Sequence, residues 1–422
     1  MRSSQVRSLV IIGIMAVLSW PAHASEKITV DQLEQILAKH AVEPHPAKHD
    51  SASEDEVADI SDGDLLQQLD GDDELIPRVL SLELTERLST NTMFRWIWKY
   101  HLGPHMQQAL EQLSDCSALL KLPDQEEPRL PAPDAAAQQA TLQAARTYTL
   151  RELSHLPNFV ATRTTTRFDD APPPLKYWQT TAGNGLHRVG SIQRQITFRD
   201  GKEVSDELPA PTQTKFQGST LESRGEFGTE AAVVLMDVEH GDIAFSHWEQ
   251  TMAGLAAVYQ YSVPQEASHY QVNDDCREHG SFQNAPAYHG MVALDPKTGA
   301  IFRMTLEAES KPGDPVSHVA SVIEYGPVVL GRHRSICPLR SLVFMVEEAN
   351  GCSHGGRKLQ KPVTMINQTI FSNYHRFGSS STIIFNQAEN GQTVPGEPGK
   401  PETMINKSMP EKPAVAGQNK RP

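Results

Sequence analysis

The spacing of apolar residues changes near the middle of the chain. Over residues 25 to 155 they recur at helical intervals, whereas from residue 157 onward they alternate with polar residues. The first pattern is typical of amphipathic helices and the second of half-buried strands. The sequence therefore predicts an α+β fold, in which an N-terminal helical region precedes a large antiparallel β-sheet.

Capping signals mark several helices in the first part. Residues 29 to 32 have the form of a capping box, in which a threonine and a glutamine satisfy each other's backbone N–H groups. Ser89 or Thr90 is suited to cap a later helix, and Pro104 and Asp134 suit the starts of two more. After the first helix, the predicted helical segments are 80–89, 90–102, 105–122 and 134–155.

Alternating segments fill most of the second part. The predicted strands lie near 157–168, 192–198, 232–238, 243–247, 258–263, 288–294, 302–308, 319–325, 341–347 and 364–371. Asp200-Gly201 and the stretch Asp295 to Gly299 supply turns between them. Because no helical pattern separates these strands, we expect one antiparallel sheet. One face is apolar, so the sheet should curl like half a barrel and be covered, most simply by helix 134–155.

The first predicted strand carries two arginines on one face. In LPNFVATRTTTRFDD, residues 156 to 170, Arg163 and Arg167 point to the same side and neither face is wholly apolar. Charges of this kind suit a strand at the edge of a sheet, where they discourage pairing with other chains. The alternative is an anion site, because guanidinium groups bind carboxylates and phosphates.

Composition divides the chain into four parts. Residues 1–24 combine two arginines, an apolar run and a small-residue cleavage site, the form of a secretory signal peptide. Residues 25–133 are predicted to be an acidic helical region with a flexible linker, residues 134–387 a helix-plus-sheet domain, and residues 388–422 a disordered tail. We expect an exported protein, periplasmic or extracellular, whose mature chain has no transmembrane segment.

Charge and cysteine content narrow the partners and the redox state. The formal net charge is −14, and residues 25 to 75 alone contribute −12, which argues against nucleic acid as a partner. Four cysteines in an exported chain favour disulfides. We prefer a bridge between Cys337 and Cys352, because these two are the nearest pair; Cys116 and Cys276 remain.

Candidate chemistry is sparse. The sequence contains no nucleophile elbow, HExxH, phosphate-binding loop or EF-hand loop, and it predicts no cofactor. His247 and Glu249 are two positions apart in a predicted strand, so they share a face and could serve acid–base chemistry. His40, His45 and His49 lie among acidic residues without a scaffold, and we predict no metal site there.

One hairpin and an order of elements resemble a known superfamily. The segment MVALDPKTGAIFRMTLEAE, residues 291 to 309, follows a helix at 134–155 and a strand at 157–168. This arrangement resembles the lipoprotein-carrier (LolA-like) superfamily over residues 134 to 385, and the chain also resembles exported bacterial proteins of unassigned role. The resemblance implies a concave apolar cavity for acyl chains, with no catalytic residues to carry over.

Three hypotheses about function follow. The first is a non-catalytic protein whose curled sheet binds a lipidic or other hydrophobic ligand, or an envelope protein. Its ligand-binding residues would be Val292, Leu294, Phe302, Met304 and Leu306, on the apolar face of the sheet. The second is a hydrolase that uses the His247 and Glu249 pair. The third is an interaction scaffold that docks a partner through the aromatic segment Phe94 to Trp98.

Overall fold

A ten-stranded antiparallel sheet forms the centre of the molecule. The computed structural model describes residues 26–42, 75–153, 156–171, 186–204, 221, 225–276, 280–349, 353–354, 357–358 and 361–377. These ranges belong to one compact unit that ends at Gly378. The predicted signal peptide, acidic linker and C-terminal tail lie outside the described residues.

Four of the six helices in the described ranges, α1, α3, α4 and α5, begin where the capping signals predict. They are α1 (Val30–Val42), α2 (Ile76–Leu80), α3 (Thr90–Tyr100), α4 (Pro104–Cys116), α5 (Ala135–Tyr148) and α6 (Thr229–Asp237). Thr29 and Gln32 form the expected capping box, with Thr29 N donating to Gln32 Oε1 at 2.8 Å. Ser89 Oγ caps α3 and Asp134 Oδ1 caps α5 by accepting bonds from backbone N–H groups. None of the helices in the described ranges is long and apolar enough to cross a bilayer.

The strands account for most of the second half. In chain order they are β1 (Glu26–Ile28), β2 (Leu82–Leu84), β3 (Phe159–Asp169), β4 (His187–Arg199), β5 (Lys202–Val204), β6 (Asp242–Thr251), β7 (Gly254–Val263), β8 (Val272–Cys276), β9 (Gly280–Asn284), β10 (Tyr288–Leu294), β11 (Ile301–Ala308), β12 (Val316–Leu330), β13 (His333–Glu347), β14 (Ser353–His354), β15 (Arg357–Lys358) and β16 (Val363–Arg376). The large sheet has the order β5-β4-β3-β16-β13-β12-β11-β10-β7-β6. It is open, with β5 and β6 at its edges, so the predicted α+β class and antiparallel sheet are confirmed.

The predicted turns explain two of the hairpins. Asp200 and Gly201 both have positive φ, as a tight hairpin turn between β4 and β5 requires. In the β10–β11 turn Asp295 accepts bonds from Lys297 N and from Thr298 Oγ1. Gly299 closes that turn at φ 74°, and a Cβ there would lie 2.2 Å from the backbone of α5. A glycine is therefore needed both for the turn and for the close approach of α5.

Three sequence predictions are wrong. Residues 80–89 do not form a helix; instead β2 pairs in parallel with β1. Residues 232–238 are not a strand but most of α6, because burial of one helical stripe outweighs their alternation. Strand β3 is not at an edge, since it pairs with β4 on one side and β16 on the other.

Each face of the sheet is covered by a different part of the chain. The concave face packs against α5 and α6 in the largest hydrophobic cluster, to which Ala145 of α5 and Val234 of α6 belong. The outer face packs against the end of α4 and the segment after it, through Ala118 and Leu119. The N-terminal helices also have a core of their own, built around the fully buried Trp96.

Candidate functional site

Helix α6 fills the concave face of the sheet. Its buried apolar residues are Ala231, Val234 and Leu235, followed by Val238. They belong to the same hydrophobic cluster as four of the predicted ligand-binding residues, namely Val292, Leu294, Met304 and Leu306. The helix therefore occupies the space above the face that the sequence predicted to bind a ligand.

A carboxylate before α6 pairs with one of the two predicted anion-binding arginines. Glu226 Oε2 lies 2.6 Å from Arg163 Nη2, and the Glu226 side chain is 1 % exposed. Arg163 also approaches Glu203 at 3.4 Å and stacks over the ring of Phe371. The Arg163 guanidinium thus faces the concave side and binds an anion, which here is a side chain of the same protein.

A second carboxylate, on α6 itself, is buried, and no cation among the described residues pairs with it. Glu230 accepts a hydrogen bond from the Ser321 hydroxyl of β12. Burial raises the pKa of Glu230 to about 7, and the nearby Glu226 charge adds to the rise, while the Ser321 bond opposes it. Near neutral pH this carboxyl is therefore close to changing its charge inside the protein.

The last residue of α6 holds a polar cluster. Both Asp237 oxygens are used: His269 Nδ1 lies 2.6 Å from Oδ1, while His269 N and Tyr288 Oη donate to Oδ2 at 2.8 Å. The Asp237 side chain is buried, but the His269 side chain is 72 % exposed. Polar contacts therefore hold α6 at three places: just before it begins, in its first turn and at its last residue. Each contact joins it to the sheet or to the segment beside the sheet.

The predicted ligand-binding residues are all covered by the chain itself. Val292, Leu294, Met304 and Leu306 have exposed fractions of 1 % or less. Phe302 is also buried, but it lies at a bulge of β11 and packs with a separate cluster that includes Val258. A ligand can contact the first four only where α6 or α5 gives way, so their assignment stays a prediction.

The second predicted anion-binding residue lies among carboxylates. Arg167 is buried near Asp169 and Glu347, and its Nη2 lies 2.6 Å from the Met365 sulfur. Burial lowers the pKa of Arg167, although both carboxylates oppose the change. The two arginines of β3 thus have partners within the protein, in keeping with a strand that pairs on both sides.

The outer face carries a second buried charge cluster. Arg87, in the loop before α3, pairs with Glu249 of β6 at 2.6 Å, and both side chains are less than a tenth exposed. Burial opposes ionisation of Glu249, but Arg87 and the neighbouring groups outweigh it and hold its pKa well below the ordinary value. Arg303 donates to the Ala118 carbonyl oxygen beside this pair.

The sheet brings His247 and Glu249 to the same face, as their spacing predicted. His247 Nε2 lies 3.8 Å from Glu249 Oε2, and its Nδ1 lies 3.0 Å from Ser246 Oγ. Ser246 is the extra residue at a bulge in β6, which turns its hydroxyl toward the histidine. Whether this group acts on a substrate stays a prediction.

Other candidates have mixed outcomes. Of the aromatic segment, Trp96 is fully buried, whereas Phe94 and Trp98 are 43 % and 79 % exposed. Cys337 is buried, and burial raises the pKa of its thiol to about 12. Cys352 lies outside the described residues, so the proposed bridge stays a prediction. Within the described ranges, no three His, Cys, Asp or Glu residues are arranged to hold a metal.

Sequence reasoning missed the acidic residues in α6 and just before it. Glu226, Glu230 and Asp237 were passed over because acidic residues usually lie on the surface. A signal was present, since Ala231, Val234, Leu235 and Val238 follow helical spacing and Glu230 and Asp237 fall on the same stripe. Carboxylates on the apolar side of a helix indicate buried polar contacts.

Comparison with known proteins gives little further information. No family model matches the chain, and no curated protein matches it. A crystal structure of a DUF1329 family protein from Desulfovibrio piger matches with 9 % sequence identity and a TM-score of 0.26. The match covers 57 % of this chain and 95 % of that one. At this TM-score the similarity supports no conclusion about function, and the resemblance to the lipoprotein-carrier superfamily stays a prediction.

Proposed function

We propose that this protein binds an amphipathic ligand, with an apolar body and an anionic head group, on the concave face of its sheet. A fatty acid or an acylated lipid has this chemistry. The observation that carries the proposal is that one segment, residues 225 to 238, covers the apolar residues and pairs with Arg163. We further propose that the protein acts outside the cytoplasm, as its N-terminal sequence predicts.

The segment resembles such a ligand in its chemistry. It presents apolar side chains to the sheet through Val234 and Leu235, and it presents a carboxylate to Arg163 through Glu226. A fatty acid would make the same two kinds of contact, since carboxylates bind guanidinium groups and acyl chains bury apolar area. In this account α6 covers the face in the free protein and leaves it when the ligand binds.

Exchange of this kind is energetically reasonable because α6 is short. Nine residues form fewer than three turns, and helices of this length depend on tertiary packing for their stability. One of its anchors is the Glu230 carboxyl, which is buried without a cation and has a pKa of about 7. The ligand would replace the apolar contacts of α6 while relieving this buried acid.

The two halves of the Arg163–Glu226 ion pair provide the test. Palmitate binding to the delipidated full-length protein is measured by calorimetry for the wild type and for Glu226→Gln and Arg163→Gln. Removal of Glu226 frees Arg163, so palmitate should bind more tightly. Removal of Arg163 deletes the head-group contact, so palmitate should bind about tenfold more weakly. Hexadecanol, which lacks the charge, should not distinguish the two variants.

A purely structural ion pair would give a different result. Either substitution would then loosen the concave face in the same way, and the two variants would shift palmitate affinity in the same direction. Arg199→Gln, an exposed arginine of β4, is the matched control and should bind as the wild type does. Absence of palmitate binding to the wild type, together with no extractable lipid in protein from the envelope, would contradict the proposal.

A second candidate function rests on one contact in β6. The Ser246 hydroxyl lies 3.0 Å from His247 Nδ1, and the ionised Glu249 lies on the other side of the ring. A serine, a histidine and a carboxylate in this order can transfer a proton during acyl transfer, which supports a hydrolase. A fluorophosphonate probe should then label Ser246 in the wild type and not in His247→Ala. Absence of labelling in the wild type would remove this candidate.

A further inference from the structure

A small polar recess lies on the outer side of the sheet, away from the concave face. It is formed between α4 and the strands β3, β4 and β16, and its volume is about 100 Å³. The lining residues are Gln108, Glu111, Gln112, Thr166, Phe168, Arg188 and Gln368. Six of the seven are polar or charged, and the space is large enough for several water molecules. The recess is therefore suited to a small polar molecule.

Two opposite charges line the recess without neutralising each other. Arg188 of β4 and Glu111 of α4 are both exposed and line the recess, and Glu111 also attracts the buried guanidinium of Arg340. Arg188 lies opposite Phe168 in the pairing of β3 with β4, which places the cation beside an apolar ring. A guanidinium binds a carboxylate through two parallel hydrogen bonds, and a carboxylate binds an ammonium group.

Two glutamines, Gln112 and Gln368, are among the residues that line the recess. The Gln112 amide nitrogen is fully buried and has no partner in the described part of the chain. Gln368 is held in place beside it, since its Nε2 donates to Asp115 at 2.8 Å.

We propose that this recess binds a free α-amino acid with a short side chain. Its carboxylate would lie against Arg188, and its ammonium group against Glu111. The limited volume selects a small side chain, for which Phe168 offers an apolar wall. A carboxylate alone or an amine alone would satisfy only one of the two charges, which makes the zwitterion the best match.

Titration with L-alanine tests the proposal on the intact protein. Calorimetry should show saturable binding to the wild type, and both Arg188→Gln and Glu111→Gln should weaken it at least about tenfold. Because both side chains are exposed, neither substitution should change the fold, which circular dichroism checks. Arg199→Gln on the same strand is the matched control and should leave binding unchanged.

Related compounds sharpen the test. Acetate and methylamine each carry one of the two charges, and both should bind far more weakly than L-alanine. L-tryptophan should not bind, since its side chain exceeds the recess. The proposal is overturned if L-alanine does not bind to the wild type, if both variants bind it normally, or if acetate binds as tightly as L-alanine.

Discussion

The two faces of the sheet are covered in different ways. On the concave face α6 contributes an apolar stripe and three buried acidic residues in or beside it, and one of them, Glu230, has no cation as a partner in the part of the chain that the structure describes. On the outer face the N-terminal region is joined to the sheet by matched charges, such as Arg87 with Glu249 and Asp115 with Arg340. The difference suggests a permanent cover outside and an exchangeable cover inside.

The energetic cost of separating each cover from the sheet supports this distinction. Removing one partner of a buried ion pair leaves an uncompensated charge, so the outer cover can leave the sheet only at a large cost. The concave cover also has one such pair, Arg163 with Glu226, but α6 differs because it includes Glu230, a carboxyl that burial disfavours. A molecule that replaces α6 would return Glu230 to water.

The largest effect is expected for the outer cover. Arg87→Ala leaves the Glu249 carboxylate buried without its cation and should lower the free energy of unfolding by about 3–5 kcal/mol. Urea denaturation of the mature protein measures it. The double variant Arg87→Met with Glu249→Leu should recover most of the loss, because no charge then remains. A loss below about 1 kcal/mol in the single variant would mean that the ion pair does not hold this face.

The next effect concerns pH and the concave cover. The pKa of Glu230 is raised from 4.5 to about 7 in the folded protein, so the folded state retains a proton that the unfolded state loses. Stability contributed by Glu230 should therefore fall as pH rises from about 4.5 to 7 and level off above that range, by on the order of 3 kcal/mol in total.

Glu230→Gln isolates this effect. The glutamine can still accept the Ser321 hydrogen bond but cannot ionise. The free energy of unfolding of the variant should therefore be close to that of the wild type at pH 5 and higher at pH 8. The difference between the two unfolding curves cancels all other titrating groups. Parallel curves between pH 5 and pH 8 would show that Glu230 does not carry its proton into the folded state.

The smallest effects compare the helix caps. Ser89→Ala removes the cap of α3 on the outer side, and Asp134→Ala removes the cap of α5 on the concave side. Each should cost about 1 kcal/mol in urea denaturation. The Ser89 hydroxyl also donates a hydrogen bond to Glu126 Oε2 at 2.6 Å. Ser89→Ala should therefore lower the free energy of unfolding more than Asp134→Ala does. Equal or reversed losses would show that this second bond adds nothing.

The parts of the fold that were predictable are those fixed by neighbouring residues. The capping box at Thr29, the cap at Ser89 and the turn at Asp295 depend on side chains and backbone groups a few positions apart. The alternation of β10 and β11 was equally clear, because polar residues such as Arg303 and Thr305 separate the apolar ones, although β11 is buried on both faces over most of its length. Such features can be recognised from a short stretch of sequence.

The parts that failed depend on residues far apart in the chain. The segment after Glu230 fits both periods, since Ala232, Val234 and Met236 alternate while Ala231 and Val234 fall on a helical stripe. Only its position against the sheet decides between a strand and a helix. The position of β3 inside the sheet likewise follows from pairing with β16, near the other end of the described residues.

The candidate sites show the same division. The shared face of His247 and Glu249 follows from strand geometry, and the sequence predicted it. The partner of Glu249 is Arg87, from a loop in the N-terminal region, and the partner of Arg163 is Glu226. Neither pairing leaves a local signal, because opposite charges are common and the fold decides which ones meet.

The most direct test of an exchangeable cover is hydrogen exchange with and without ligand. The full-length protein, delipidated and then saturated with palmitate, would be compared over α6 (Thr229–Asp237) and α4 (Pro104–Cys116). The account predicts faster exchange in α6 when palmitate is bound, with no change in α4, because the ligand takes the place of α6 alone. Unchanged or slower exchange in α6 in the bound protein would contradict it.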